Sequence, residues 1–180
     1  MTRASSLPAR PESTVYPIAV TSPLAIHLGG LRRCLVSNAR ADETVKFREI
    51  MHATSVQSQE VGDVDGHAPA LVRFSGLASF PDGTVGTAYF IGTTDYTKGT
   101  GPYSAYHNVT LADGSVLWLK WIGTTTAEGT ISRVQGTVSV LGGKGKFEGA
   151  KGDGTVAGAR LAPLATGADL YLDFVINVKK

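Results

Sequence analysis

Short runs of β-branched and aromatic residues, punctuated by glycine and Asp-Gly pairs, constrain this chain more than any other feature. Pro81-Asp82-Gly83 and Ala112-Asp113-Gly114 have the chemistry of tight turns. The Asp side chain bonds its own backbone, and Gly accepts the positive φ that closure requires. An Asp-Gly-Thr/Ser-Val pattern recurs at 82, 113 and 153, at irregular spacing, which reads as repeated turn chemistry rather than a solenoid repeat. Between the turns lie eight runs rich in Val, Ile, Thr, Tyr, Phe and Trp: 44–57, 70–80, 84–95, 103–111, 115–125, 130–141, 153–161 and 168–179. None carries a sustained 3.6-residue apolar stripe, so helices are not expected.

Eight short strands joined by short connections fit a sandwich or a closed barrel. Consecutive hairpins favour the barrel, since sandwiches usually need a long Greek-key crossing, and closure removes exposed edges. The expected fold is therefore all-β: an eight-stranded antiparallel up-and-down β-barrel over 42–180, preceded by an irregular extension over 1–41. A barrel of this size is either filled by its own side chains or holds one small ligand.

Composition removes several alternatives. No run approaches the roughly 20 apolar residues of a spanning helix, so membrane insertion is not expected. The single Cys34 excludes a disulfide scaffold. The net charge of +2 divides unevenly: residues 1–41 hold five Arg (Arg3, Arg10, Arg32, Arg33, Arg40) against Glu12, and the body is mildly acidic. The body has no basic stripe to neutralise phosphates, which argues against nucleic acid as a partner. Ala39-Arg40-Ala41 has the form of a secretory cleavage site, yet Pro17, Pro23 and His27 interrupt the apolar run before it. A cytoplasmic location is favoured, with export the outcome if 1–41 is a signal segment.

The segment Gly136-Thr-Val-Ser-Val-Leu-Gly-Gly-Lys-Gly-Lys-Phe-Glu-Gly-Ala-Lys-Gly-Asp-Gly-Thr-Val156 is the most distinctive stretch. It resembles the strand, Gly-Gly-x-Gly-x-Phe turn and x-Gly-x-x-Gly strand of the allene oxide cyclase and dirigent-protein superfamily, as found in uncharacterised bacterial proteins. The resemblance implies an eight-stranded antiparallel barrel, often oligomeric, whose hydrophobic cavity serves ring-forming or stereocontrolling chemistry without a cofactor. It carries no catalytic residue onto a position of this chain. In physical terms, Gly142, Gly143 and Gly145 permit a tight left-handed path, and Phe147 plugs apolar space. Gly149 and Gly152 let the next strand cross closely. A nucleotide loop is excluded, because Glu148 stands where the last Gly of G-x-G-x-x-G belongs and no Gly-Lys-Ser/Thr occurs.

Candidate ligand-binding residues come from alternate positions of adjacent strands: Arg73, Tyr89, Tyr103, His107, Trp118 and Lys120, with Tyr171 and Asp173 similarly placed. A two-residue Asp113-Gly114 turn sets His107 opposite Lys120. A three-residue turn ending in Gly114 slips the register, so that His107 faces Leu119. Lys120 and Arg73 either snorkel outward as surface charge or mark a polar cavity. The alternate faces, with Leu117, Leu119 and Trp121 or Leu170, Leu172, Phe174 and Ile176, read as continuous packing surface. Asp63, Asp65 and His67 are weak metal candidates in a polar connection, and no metal or other cofactor is expected.

The favoured function is a non-catalytic binder or carrier of a small, partly hydrophobic organic ligand. The alternative is a cofactor-free isomerase or cyclase that shapes a flexible substrate and excludes water, with His107, Lys120, Tyr89 or Tyr103 moving one proton. The third is a structural barrel without ligand, its interior filled by Leu, Val and Phe. A homo-oligomer, dimer or trimer, is the expected assembly.

Overall fold

The computed structural model describes residues 42–180; the extension, its cleavage motif and Cys34 lie outside them. Eight strands follow one another: β1 (Glu43–Ser58), β2 (His67–Ser79), β3 (Val85–Thr97), β4 (Gly101–Leu111), β5 (Val116–Glu128), β6 (Ile131–Lys144), β7 (Lys151–Arg160) and β8 (Asp169–Lys179). Each pairs antiparallel with the next, and β8 pairs with β1, closing the barrel.

Strict alternation builds the wall. On β1, Val45, Phe47, Glu49, Met51 and Ala53 are buried while their neighbours are exposed. The same period sends Phe74, Phe90, Leu119, Trp121, Val138, Leu172, Phe174 and Ile176 inward from the other strands. The interior is thus the apolar layer that includes Leu117, Leu119 and Trp121 together with Leu170–Ile176.

The turns follow their chemistry at two of the three Asp-Gly sites. Asp82 accepts the Thr84 N–H at 2.9 Å and Asp113 the Ser115 N–H at 2.8 Å. Gly83 and Gly114 take φ of 85° and 81°. The third site is a correction: Asp153-Gly154 lies inside β7, paired with Asn177 and Ile176. Gly154 is needed there for close approach, because a Cβ would meet the backbone of β8.

The reversal before β7 instead uses the glycine-rich module. A short 3-10 turn at Gly145–Phe147 buries Phe147, and Lys146 N–H donates to Ser115 Oγ at 3.1 Å. A bulge in β6 places Trp118 opposite Gly142 and Leu119 opposite Val140, so Leu141 is the extra residue. One barrel end is sealed by aromatics, with the Phe47 ring 5.2 Å from Phe80 and 4.7 Å from Phe174. At the other end the connection 161–168 folds across the mouth, with Ala162 and Leu164 packed on the core.

Candidate functional site

The open end holds a cavity of about 40 Å³ and, above it, a mouth of about 280 Å³. Even positions of β3 bring Phe90, Thr94 and Tyr96 to the cavity, odd positions of β4 and β5 bring Tyr103, Trp121 and Thr125, and the end of β7 brings Arg160. Tyr96, Arg160 and Leu164 line both spaces, so the Leu164 side chain is part of the partition between them.

The cavity wall is an aromatic cluster with polar tips. Trp121 meets Phe90 and Tyr103 edge-on, with centroids 5.1 and 5.0 Å away. Tyr103 lies over the facing pair Gly123 and Gly136 and donates its hydroxyl proton to the Gln135 carbonyl at 2.9 Å. A Cβ on Gly123 would stand 2.5 Å from that hydroxyl, so the two glycines make the seat for the ring. Tyr96 shares a 2.7 Å hydrogen bond with Thr125. Burial pushes both tyrosine hydroxyls above their ordinary pKa, so they are neutral donors and acceptors. Thr94 Oγ1 and Trp121 Nε1 are buried without a hydrogen-bond partner among the described residues.

Deeper in the barrel, Glu49 and His107 form a fully buried pair, Nε2 to Oε1 at 3.0 Å. The contact is close but lies off the hydrogen-bonding direction, so neither carboxyl oxygen has a donor among the described residues. Phe90 and Trp121 stand between His107 and the cavity, with ring centroids 6.3 and 6.5 Å from the imidazole. Neither member of the pair lines the cavity.

The six sequence candidates separate onto two faces. Leu111 N–H bonds the Ser115 carbonyl across a three-residue turn, so His107 faces Leu119 and Tyr106 faces Lys120. Tyr103 and His107 point inward and are buried. Arg73, Tyr89, Trp118 and Lys120 stand on the outer wall. There Lys120 lies over the Tyr106 ring at 5.4 Å, and Lys144 over Trp118 at 5.7 Å. Tyr171 and Asp173 are outside too, with Arg48 bound to Asp173 by two 2.7 Å hydrogen bonds.

Several cavity and core residues, Glu49, Arg160, Trp121 and Tyr96 among them, were absent from the candidates. Glu49 had a readable signal, an acid at the centre of the apolar series Val45, Phe47, Met51, Ala53. Arg160 continues the small-residue series Gly152, Gly154, Val156, Gly158. Trp121 was assigned to packing alone, and Tyr96 falls beyond the expected end of its strand.

At the metal candidates the carboxylates occupy both imidazole nitrogens. His67 Nδ1 is 2.6 Å from Asp63 and Nε2 is 2.7 Å from Asp95, while Asp65 pairs with Lys98 at 2.8 Å. This is the setting of a protonated imidazole, and no group of three or more His, Cys, Asp or Glu among the described residues is arranged to hold a metal ion.

The carboxylates raise the His67 pKa, Asp95 first and then Asp63, and His67 lowers that of Asp63. The stabilisation from His67 is complete below its ordinary value of 6.5 and is lost as pH rises through the raised folded value. The Asp63 contribution is present above its ordinary 3.8 and disappears as pH falls through the lowered one. In denaturation series, wild type should therefore exceed His67→Gln most between these limits, and the gap should close in alkali. A gap independent of pH would contradict the clamp.

No protein-family model and no curated protein matches the chain. Solved structures do share its fold. The pterocarpan synthase dirigent protein PsPTS1 matches at 15% identity over 76% of this chain and 95% of that one, with a TM-score of 0.50. A conserved protein of unknown function from Rhodopseudomonas palustris matches at 12% identity over 77% and 98%, also with a TM-score of 0.50. At these identities the likeness is one of fold. In fold, the closed eight-stranded barrel is like that of the dirigent protein.

Proposed function

We propose that the protein is a binder or carrier of a small, partly apolar organic molecule, held at the open end of the barrel. The observation that carries this reading is the Trp121, Phe90 and Tyr103 cavity beneath a mouth whose partition includes one leucine on a connecting segment. A cavity of about 40 Å³ takes a few waters at most, since one needs roughly 10–15 Å³. A ligand must therefore displace Leu164, which joins the two spaces. Unpartnered Thr94 Oγ1 and Trp121 Nε1 would supply polar contacts to it.

A cofactor-free isomerase or cyclase is less favoured, because the buried acid–base pair lies behind the aromatic wall instead of on it. A purely structural barrel would not need a polar-tipped cavity under a mouth. We also propose self-association, as a dimer or trimer, through the outer wall, where Tyr106 and Ile122 are more than half exposed.

Calorimetric titration with cinnamyl alcohol tests the binding reading. Wild type should bind, and Leu164→Ala should bind about fivefold to tenfold more tightly, because the closed arrangement no longer competes. Absence of heat and of any melting shift in both proteins would reject it.

A further inference from the structure

Arg160 is a buried cation without a counter-ion among the described residues. It is 5% exposed, and its contacts are neutral: Nε donates to the Ala162 carbonyl at 2.8 Å and Nη2 to Ser132 Oγ at 2.9 Å. Its guanidinium carbon is 5.9 Å from the centre of the Tyr96 ring. No carboxylate stands within ion-pair distance of it among the described residues, whereas Arg48 and Arg133 on the outer wall each have one. Burial lowers its pKa, but an arginine stays charged at neutral pH.

The surroundings add no negative charge. Among the described residues lining the cavity and the mouth there is no Asp or Glu, and the only charged side chains are Arg160 and Lys98. Lys98 already has Asp65 at 2.8 Å. Neutral acceptors orient a guanidinium without neutralising it, and a desolvated cation in an apolar rim is costly unless an anion completes it. Arg160 also lines both spaces, at the point a ligand crosses when Leu164 moves.

We infer that the ligand is an organic anion, a flat apolar body carrying one carboxylate, with the acid group on Arg160 and the body on the Trp121 side. This rests on the binding reading above and names its ligand class. The guanidinium is a planar fork suited to a carboxylate. Its Ser132 and Ala162 contacts hold it in place, and the Tyr96 hydroxyl, neutral in this setting, is a further group of the same rim.

The test is calorimetry with cinnamate and cinnamamide, which share a skeleton and differ in charge. Wild type should bind the carboxylate about tenfold to a hundredfold more tightly than the amide, a preference that weakens with added salt. Arg160→Met should weaken the carboxylate far more than the amide, so that the preference is erased, and Arg160→Lys should keep part of it. Equal affinity of wild type for both compounds, with cinnamyl alcohol still bound, would overturn the anion inference and leave the binding reading standing. Failure of all three compounds to bind would reject both. The wild-type comparison decides the matter even where a variant folds poorly. A purely structural Arg160 would give variants that lose stability with an unchanged carboxylate-to-amide ratio.

Discussion

His107→Val should cost about 3–5 kcal/mol of unfolding free energy, and adding Glu49→Leu should recover most of that loss. Both side chains are completely buried, and among the described residues the only basic side chain within 4 Å of the Glu49 carboxyl group is His107. Removing the imidazole leaves a buried acid without its polar neighbour among the described residues, in an interior of Phe90, Trp121 and Phe174. Removing both members takes out the desolvation cost together with the attraction, and the Leu/Val pair roughly conserves volume. Urea denaturation of wild type, the two single variants and the double variant gives the coupling directly. If the double variant loses the sum of the single losses, the two groups do not act as a pair. Melting and binding can be read on the same samples, and the affinity for cinnamyl alcohol should hardly move, because neither residue lines the cavity.

Phe174→Ala should be as damaging, about 3–5 kcal/mol, for a different reason. Phe174 is 1% exposed on β8, stacked on Phe47, with ring centroids 5.4 Å from His107 and 6.1 Å from Trp121. Its removal opens a void at the barrel centre that strand hydrogen bonding prevents the wall from collapsing to fill. The contrast with Leu164→Ala is informative. Leu164 shields a cavity at the mouth, so its loss should raise affinity, whereas Phe174 fills the core and its loss should lower stability. A penalty below about 1.5 kcal/mol for Phe174→Ala would mean that the centre repacks and that the interior is more adaptable than its packing indicates.

Much of the barrel is legible in the order of residues. All eight strands occur where alternating β-rich runs stand, and the Asp82-Gly83 and Asp113-Gly114 turns form as their side chains require. The strand ends extend further than local propensity indicates. His67 belongs to β2 because it pairs with Thr97, and Lys144 to β6 because it pairs with Val116. Those pairings are non-local, so no window of sequence contains them. Gly154 shows the same limit from the other side: an Asp-Gly pair with turn chemistry is held in a strand by the backbone of β8 pressing on it.

The candidate site was legible in part, and the reason is geometric. Alternation states that Tyr103 and His107 share one face of β4 and that Trp118 and Lys120 share one face of β5, but not which faces meet. That depends on whether two or three residues make the turn between Leu111 and Ser115. The three-residue turn puts Trp118 and Lys120 outside and Trp121 inside. Composition and period by themselves determine the strand order, the hairpin turns, the all-β class and the sets of residues that travel together, because these follow from local backbone preference and a two-residue repeat. Only closure of the barrel decides which set is interior. It joins β8 to β1, buries Glu49 against His107 from strands far apart in sequence, and leaves Arg160 facing a cavity with no acid beside it among the described residues.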